Sequence, residues 1–285
     1  MKPHFDRVSI IGAGLLGASL GLAMKARGLA GLVTGSGRRL ESLEIARSIG
    51  AVDEITLDDR EAVRDAALVV IATPAAMVLE KLDAIRDACR PDASVTDVAS
   101  TKRAICEHAC ATWQHPRRFV GSHPMAGSEK FGPVHARADF YEGSVCLVEK
   151  SDGLDPAARA QVSSLWEAVG ARVVDISPGE HDDLLARTSH IPHVVASALA
   201  ATVANRKNIR AFIGKGFMDA TRIAASRPEL WRDICLTNSE AVTAGLDEIL
   251  ARLTAFRDAL NAGDAGAVER HFLEGKTARE EAVRE

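Results

Sequence analysis

The chain has 285 residues, a length that accommodates two domains with a sizeable hydrophobic core. Hydrophobic residues make up 47% and charged residues 26% of the sequence, as in ordinary soluble globular proteins. The formal net charge of −4 provides no basic surface for nucleic acid or for an anionic membrane, so neither is expected as a partner. No apolar run reaches the length of a membrane span, and the first predicted strand begins too early to leave room for a signal peptide.

Five cysteines are scattered along the chain, an odd number without a regular spacing. Cys106 and Cys110 would share one face of a helix, but no second pair completes a zinc site. The sequence therefore predicts a cytoplasmic protein with reduced thiols and no bound metal.

A glycine-rich turn, Gly12-Ala13-Gly14-Leu15-Leu16-Gly17, lies between two predicted elements near the N-terminus. The apolar, β-branched stretch Arg7–Ile11 before it predicts a buried strand, and the small apolar stretch Ala18–Lys25 after it predicts a helix. A strand, a glycine turn and a helix in this order form the context of the G-x-G-x-x-G dinucleotide fingerprint. The alternative is a glycine turn with a purely structural role.

Each residue of this turn has an expected role in a dinucleotide site. Gly12 would allow the tight turn, Gly14 would let the backbone approach a pyrophosphate, and Gly17 would let the helix pack closely on the strand. Leu15 and Leu16 would begin the helix, whose N-terminus faces the phosphates. These five residues are therefore predicted to bind the cofactor.

The second predicted strand, Gly31–Thr34, is followed by Gly35-Ser36-Gly37-Arg38-Arg39. NAD-binding folds place an acidic residue near this point to accept hydrogen bonds from the ribose 2′-hydroxyl, yet no Asp or Glu occurs between the first strand and Glu41. Guanidinium groups bind a 2′-phosphate through charge-assisted hydrogen bonds. Ser36, Arg38 and Arg39 therefore favour NADP as the cofactor. The alternative is that the arginines form a solvated basic turn, and the alternative cofactor is NAD.

Two further strand ends are expected to line the same crevice, because ligands of doubly wound sheets bind beyond the carboxyl ends of the strands. Strand Ala67–Ala72 ends in Thr73-Pro74, which is predicted to lie beside the cofactor. Strand Ser94–Asp97 leads to Ser100, for which an N-cap role in the following helix is the alternative.

The segment Phe119–Lys130 predicts a strand that runs into a loop rich in glycine and proline. His123 would then lie at the carboxyl end of a strand, on the same rim as the glycine turn. A histidine at that place can remove a hydroxyl proton as a hydride departs. A structural loop histidine is the alternative.

The remaining predicted elements fall into two groups. Two strands with an amphipathic helix between them are predicted over 143–176, and Pro178-Gly179 then marks a domain boundary, beyond which the pattern predicts only helices. We therefore expect an α/β Rossmann-type dinucleotide-binding domain at 1–177, followed by an all-α substrate-binding and dimerisation domain at 178–285.

A long helical run is predicted at His181–Asn205, and its end, Val194–Ala201, is apolar nearly all round. A helix of that kind must be buried on several sides. Pro192 is expected to kink the run, and a kink is a common place for a ligand. His190 and His193 lie on either side of this proline, and periodicity alone leaves each as a ligand-facing or an ordinary helix histidine.

Six motifs spread over nearly the whole chain occur together in one known family. They are Gly-Ala-Gly-Leu-Leu-Gly at 12–17, Thr-Asp-Val-Ala-Ser-Thr-Lys at 96–102, Ser-His-Pro-Met-Ala-Gly-Ser-Glu-Lys at 122–130, Ser-His-Ile-Pro-His at 189–193, Phe-Met-Asp-Ala-Thr-Arg-Ile-Ala at 217–224 and Trp-Arg-Asp-Ile at 231–234. In combination they resemble the prephenate/arogenate dehydrogenases of tyrosine biosynthesis. The His-Pro-Met-Ala-Gly and Thr-Arg-Ile-Ala motifs are much more specific than the glycine turn.

The resemblance implies roles for the matching residues. His123 matches the catalytic base, and Ser100 matches the serine that orients the base and the substrate hydroxyl. His193 matches a substrate-binding histidine, and Arg222 matches the arginine that holds a substrate carboxylate.

The resemblance also implies a reaction, the oxidative decarboxylation of prephenate to 4-hydroxyphenylpyruvate with hydride transfer to NADP+. Arogenate, which carries an amine in place of the ketone, is the alternative substrate and would yield tyrosine. Ser128 and Glu129 match residues near the side-chain end of the substrate, where Glu129 would favour an ammonium.

The family resemblance further implies a homodimer, because the helical domains of two chains interlock in these enzymes. The helices predicted near 228–260 and 264–282 are too short to cover the apolar run alone. The expected partners are therefore a small-molecule substrate and a second copy of the chain.

Two other functions are compatible with a dinucleotide fingerprint and a helical domain. A β-hydroxyacid dehydrogenase relies on a catalytic lysine in the first long helix, yet no lysine occurs between Lys150 and Lys207. A non-enzymatic sensor of the NADP redox state would need neither His123 nor Arg222.

Overall fold

The computed structural model describes residues 4–114, 116–128, 130–204, 206 and 208–284. These residues form two compact units, of which the first ends at Asn238 and the second begins at Ser239. The first contains two β-sheets with their helices, and the second contains a pair of helices.

A parallel sheet of six strands forms the frame of the first unit. The strands are β1 (Phe5–Ile11), β2 (Ala30–Ser36), β3 (Glu54–Thr56), β4 (Leu68–Ile71), β5 (Ser94–Asp97) and β6 (Phe119–Val120). Their order across the sheet is β3-β2-β1-β4-β5-β6, the doubly wound order of dinucleotide-binding folds. The predicted α/β Rossmann-type architecture is confirmed.

Helices cover both faces of this sheet. They are α1 (Leu15–Ala26), α2 (Leu40–Ser48), α3 (Asp59–Val63), α4 (Ala75–Ile85) and α5 (Arg103–Thr112). Val70 belongs to one apolar cluster, whereas Val69 and Ile71 belong to another, because alternate residues of a strand face opposite sides. The sheet therefore separates two cores.

The strand predicted to carry His123 is interrupted at Gly121, where a Cβ would lie 2.7 Å from Sγ of Cys106. The chain then enters a second sheet, which consists of β7 (Ser122–Pro124), β8 (Val145–Glu149) and β9 (Arg172–Ile176). His123 is the middle residue of β7 and pairs with Leu147 in antiparallel register. The expectation that His123 lies at the carboxyl end of a strand was therefore wrong, because the chain leaves the first sheet at Gly121 and His123 falls in the middle of the next strand.

Arg117, two residues before β6, forms a buried ion pair with Glu149 of β8, and the Gly121 amide donates to the same carboxylate over 2.9 Å. Helix α6 (Pro156–Ala168) connects β8 to β9, with the Asp155 side chain as its N-cap.

The chain after the second sheet is helical, as predicted. Its helices in the first unit are α7 (Pro178–Leu185), α8 (Ile191–Ala201), α9 (Lys215–Thr221) and α10 (Pro228–Thr237). One π-helical turn, Ala186–His190, lies between α7 and α8, and Pro192 is the second residue of α8. Helix α8 ends at Ala201, and Asn205, the predicted end of the run, lies outside the described residues.

The second unit consists of α11 (Ser239–Ala262) and α12 (Ala265–Ala282). The two helices run antiparallel, since the Phe256 ring lies 4.6 Å from the His271 ring and Arg252 lies 3.4 Å from Glu274. The Asp264 side chain caps α12.

Among the described residues, no helix combines the length and the apolarity that crossing a membrane requires. In the same part of the chain, no three His, Cys, Asp or Glu side chains converge as ligands for a metal ion.

Candidate active site

The glycines of the turn after β1 occupy positions with different spatial demands. Gly12 has φ of +94°, and an added Cβ would lie 2.7 Å from the carbonyl oxygen of Ala72. At Gly17 a Cβ would lie 2.4 Å from the carbonyl oxygen of Gly12, so glycine is what lets α1 approach β1. Gly14 has open space around it and lies at the N-cap of α1. The turn thus leaves room at a helix N-terminus, as a pyrophosphate requires.

A cleft of about 430 Å³ opens beside this turn. It is lined by most of the residues predicted to contact the cofactor, together with the predicted catalytic serine: Gly12, Gly14, Leu15, Leu16, Arg38, Arg39, Thr73, Pro74 and Ser100. Arg227 and Leu230, from the helical part of the first unit, also line the cleft. The open glycine, the helix N-terminus and the two arginines together fit a dinucleotide.

Two predicted cofactor residues lie outside the lining of the cleft. Gly17 belongs to α1 and packs against the end of β1, and Ser36 is fully buried at the end of β2. The Ser36 hydroxyl donates to Oδ1 of Asp59 over 2.6 Å. Ser36 therefore reaches the cleft through the carboxylate of Asp59, which does line it.

Ser100 lies on the loop between β5 and α5. Helix α5 begins at Arg103 with Lys102 at its N-cap, so Ser100 is not the cap that one interpretation of the sequence suggested. Asp97 holds this loop, because its carboxylate accepts the Ala99 amide over 3.0 Å and forms a buried ion pair with Lys102.

His123, His181 and Asp182 form a buried chain of hydrogen bonds. Nδ1 of His123 lies 2.9 Å from Nε2 of His181, and Nδ1 of His181 lies 2.7 Å from Oδ1 of Asp182. The Asp182 carboxylate also accepts the amides of Lys102 and Arg103, at 2.7 and 2.9 Å.

The direction of these bonds follows from the carboxylate, which when ionised can only accept. His181 therefore donates from Nδ1 and accepts at Nε2, and His123 donates from Nδ1. This order leaves Nε2 of His123 unprotonated, as a general base requires.

Burial dominates the protonation of this chain. It lowers the pKa of His123 well below the ordinary value, and the charge of Lys102, together with that of His181 when this ring is protonated, acts in the same direction. Burial also lowers the pKa of His181, against the opposing effect of Asp182. Burial alone would raise the pKa of Asp182, but the hydrogen bonds from His181 and from the amides of α5 outweigh it and lower that pKa. At neutral pH both imidazoles are therefore neutral and the carboxylate is ionised.

His190 lies next to this chain, on the π-helical turn. Its ring is buried, with Nδ1 3.2 Å from Nδ2 of Asn238 and no hydrogen-bond partner at Nε2 among the described residues. Burial lowers the pKa of His190 to about 4, so the ring is neutral at physiological pH. It meets the Trp231 ring edge-on, with the ring centroids 6.2 Å apart.

His193 stacks on Trp231, with the two ring centroids 3.5 Å apart. Its Nδ1 donates to the carbonyl oxygen of Ser189 over 2.9 Å, which leaves Nε2 as the accepting nitrogen. Burial lowers the pKa of His193, and the charge of Arg222 contributes to the same shift. The structure thus brings His193 and Arg222, two predicted substrate residues, into one neighbourhood.

Ser128 lies on the exposed loop after β7, where its Oγ accepts the amide of Lys130 over 3.1 Å. Glu129, the other residue predicted near the end of the substrate, lies outside the described residues.

His181, Asp182 and Asn238 belong to no motif that predicts a functional role from the sequence. The only signal for the first two is a polar His-Asp pair one turn after the Ser177-Pro178 helix start. Their importance comes from contacts with β7 and α5, which are distant in sequence.

The residues that line the cleft include Ser100 but not His123, His193 or Arg222. The doubly wound sheet and the glycine turn beside the cleft define an oxidoreductase that uses a nicotinamide dinucleotide. Residues 20–175 match the nucleotide-binding domain of prephenate dehydrogenase, and residues 177–274 match its dimerization domain. The chain belongs to the prephenate dehydrogenase family.

Individual relatives agree with this assignment. Prephenate dehydrogenase of Bacillus subtilis is 31% identical over 285 residues, which cover 98% of this chain and 77% of the relative. The crystal structure of A. aeolicus prephenate dehydrogenase in complex with hydroxyphenyl propionate and NAD+ has a TM-score of 0.88 and 30% identity, covering 97% of this chain and 98% of that one. Synechocystis arogenate dehydrogenase has a TM-score of 0.83 and 27% identity, covering 97% and 100%.

Proposed function

We propose that this chain catalyses the oxidative decarboxylation of prephenate to 4-hydroxyphenylpyruvate, with NADP+ as the preferred hydride acceptor, as a step of tyrosine biosynthesis. Arogenate is the alternative substrate, and the arogenate dehydrogenase among the similar structures supports keeping it. The observation that carries the proposal is the hydrogen-bonded order Asp182–His181–His123, which presents Nε2 of His123 as a base.

The proposed chemistry begins at the C4 hydroxyl of the substrate. Nε2 of His123 accepts the hydroxyl proton, and the neutral state that burial enforces keeps this nitrogen available. Ser100 orients the hydroxyl from the loop after β5. A nicotinamide bound beside the glycine turn would accept the hydride from C4. Carbon dioxide leaves from C1, the electron pair of the broken bond completes the aromatic ring, and the proton held by His123 returns to the oxygen at C4 to give the phenol.

A dicarboxylate substrate also needs positive and polar partners. Arg222 is assigned to a carboxylate, which a guanidinium can bind through two parallel hydrogen bonds. His193, held by Ser189 and stacked on Trp231, presents a fixed nitrogen to the same ligand. Ser128 and Glu129 are assigned to the side-chain end.

The preference for NADP+ rests on charge at the end of β2. Arg38 and Arg39 line the cleft there, and no acidic residue occurs in β2 or directly after it. The A. aeolicus relative was crystallised with NAD+, so the proposed preference is a property of this chain rather than of the family.

We further infer that the chain forms a homodimer through its helical domain. The hairpin of α11 and α12 exposes large apolar side chains, namely Leu250, Leu253, Leu260, Phe272 and Leu273. In α8, Val195 and Leu199 are 37% and 40% exposed. Apolar surface of this extent is typical of protein interfaces, and the match to a family dimerization domain supports a second copy as the partner.

The proposed division of labour places cofactor binding in residues 1–177 and substrate binding and dimerisation in residues 178–285. The two family domains, which meet between residues 175 and 177, support this division.

The test is a spectrophotometric assay of the purified chain with NADP+ and each substrate. Reduced cofactor should appear with prephenate, with kcat/KM above that for arogenate. A higher kcat/KM with arogenate would reverse the substrate assignment, and silence with both substrates would refute the dehydrogenase function.

A further inference from the structure

The end of β2 carries no acidic residue, but a carboxylate from another element lines the cleft beside it. Asp59, the first residue of α3, lines the cleft together with Gly37, Arg38 and Arg39. Its side chain is only 13% exposed. The sequence did not reveal this acid because it comes from a different element, more than twenty residues beyond β2.

Both carboxylate oxygens of Asp59 are engaged. Oδ1 accepts the buried Ser36 hydroxyl over 2.6 Å, and Oδ2 lies 2.9 Å from Nζ of Lys81. Lys81, on α4, also lines the cleft and is 13% exposed at its side chain. Glu80 approaches the same ammonium at 3.6 Å, but it is 71% exposed and does not line the cleft.

The pairing of Asp59 with Lys81 determines the charge of this corner. With the two opposite charges balanced, the arginines at 38 and 39 leave the corner positive, which suits a 2′-phosphate. Without Lys81, a poorly solvated carboxylate would face that phosphate and repel it. Without Asp59, Lys81 would be released as an additional cation for the phosphate.

We propose that the Asp59–Lys81 ion pair determines cofactor selectivity, with Lys81 neutralising an acid that would otherwise exclude a 2′-phosphate. This inference rests on the proposed dinucleotide site, although it does not require that prephenate is the substrate. It assigns a specificity role to two residues of α3 and α4 in addition to the arginines after β2.

The experiment measures dissociation constants of NADP+ and NAD+ by calorimetry in the absence of substrate. Lys81→Met should lower the ratio of NADP+ to NAD+ affinity by about tenfold or more, because the loss falls on the phosphate-bearing ligand. Asp59→Asn should raise that ratio several-fold. The double variant should have a ratio of NADP+ to NAD+ affinity close to that of the wild type. The two substitutions act through one ion pair, so removing both charges leaves no unpaired carboxylate to repel the phosphate.

A matched control is Lys25→Met, which breaks the Lys25–Asp53 ion pair outside the cleft lining and should leave the ratio unchanged. An unchanged ratio in Lys81→Met would overturn the proposal. A double variant as poor as Lys81→Met would also overturn it, because Lys81 would then contact the phosphate independently of Asp59. Should Lys81→Met fail to fold, Asp59→Asn decides alone, and an unchanged ratio in that variant counts against the pair.

These outcomes are separable from the proposed function. A wild-type chain that binds both cofactors equally would refute the NADP+ preference, yet the change of the ratio between variants would still decide the role of the pair. A chain that binds the cofactors but oxidises neither substrate would refute the dehydrogenase function alone.

Discussion

Nε2 of His181 lies 2.9 Å from Nδ1 of His123, and this contact joins the strand that carries the proposed base to the first helix of the helical region. The proton order of the whole chain depends on Asp182, which accepts from Nδ1 of His181. Asp182 is in turn fixed by two backbone amides at the start of α5. Asp182, which is two hydrogen bonds away from His123, therefore determines which nitrogen of His123 is unprotonated.

Replacement of Asp182 by asparagine tests this dependence. The amide of Asp182→Asn can donate to His181, which would reverse both hydrogen bonds and place the proton on Nε2 of His123. We expect kcat to fall by about 10²–10⁴ while NADP+ binding is retained. Asp183→Asn is the control, since that side chain is 52% exposed and pairs only with Arg187, at 3.5 Å, among the contacts described. Near-normal turnover in Asp182→Asn would contradict the proton order.

The pH dependence of activity should reflect the low pKa of His123. A base works in its deprotonated form, and burial with neighbouring positive charge lowers this pKa well below 6.5. The rate should therefore stay level as pH falls from 8 to about 6.5 and decline only at lower pH.

Replacement of the proposed base tests the same assignment directly. His123→Asn should lower kcat by about 10²–10⁴ with little change in KM. An acidic limb centred at or above pH 6.5, or a variant that keeps most of its turnover, would exclude His123 as the base described here.

The glycine turn allows stability and cofactor binding to be separated. Gly17→Ala would place a Cβ 2.4 Å from a carbonyl oxygen, and overpacking of this kind costs about 1–3 kcal/mol, which would lower the melting temperature. Gly14→Ala meets no atom within 4 Å, so its melting temperature should stay near that of the wild type. Its methyl group would instead enter the space left for the pyrophosphate, and NADP+ affinity should fall by about tenfold or more. Equal cofactor affinity in Gly14→Ala and the wild type would place the pyrophosphate elsewhere.

Arg222 should act mainly on substrate binding. A carboxylate partner contacts the ground state and the transition state alike, so Arg222→Ala should raise KM with a smaller effect on kcat. Arg222→Lys should rescue poorly, because an ammonium cannot reproduce two parallel hydrogen bonds. Arg210→Lys, at an exposed position, serves as the control for loss of a guanidinium. An unchanged KM in Arg222→Ala would move the carboxylate site away from this residue.

Arg38 should discriminate between the two cofactors. One charge-assisted hydrogen bond contributes roughly 1.5–3 kcal/mol, or about 10- to 150-fold in affinity. Arg38→Ala should therefore weaken NADP+ at least about tenfold and leave NAD+ nearly unchanged, with Arg39→Ala measured in parallel. Arg47→Ala, on the exposed surface of α2 and outside the cleft lining, is the comparison variant. A wild type that uses both cofactors equally would refute the preference.

The parts of the fold that local pattern determines were predictable from the sequence. The glycine turn, the buried strands and the helical C-terminal region follow from hydrophobic periodicity and turn residues. The segment 53–65 gave no such signal, because β3 has three residues and forms through its pairing with β2, where Thr34 lies opposite Glu54. The helix expected near 228–260 is divided into α10 and α11, with Asn238 between them.

The residues of the candidate site were likewise predictable only where local pattern places them. Arg38 and Ser100 were predictable because they follow predicted strands, and both line the cleft. His181 and Asp59 were not, since each matters only through a partner that the fold brings from far along the chain. Periodicity can assign a residue to a helix, but it cannot indicate which carboxylate will meet the amides of another helix.

The carboxylate of Asp182 also constrains how this architecture can be recombined. A hybrid that joined residues 1–177 to the helical region of another dehydrogenase would retain the glycine turn and the arginines of the cleft. It would lack the proton order at His123 unless the new region carried a His-Asp pair against α5. The cofactor-binding domain and the start of the helical region are therefore expected to be inherited together.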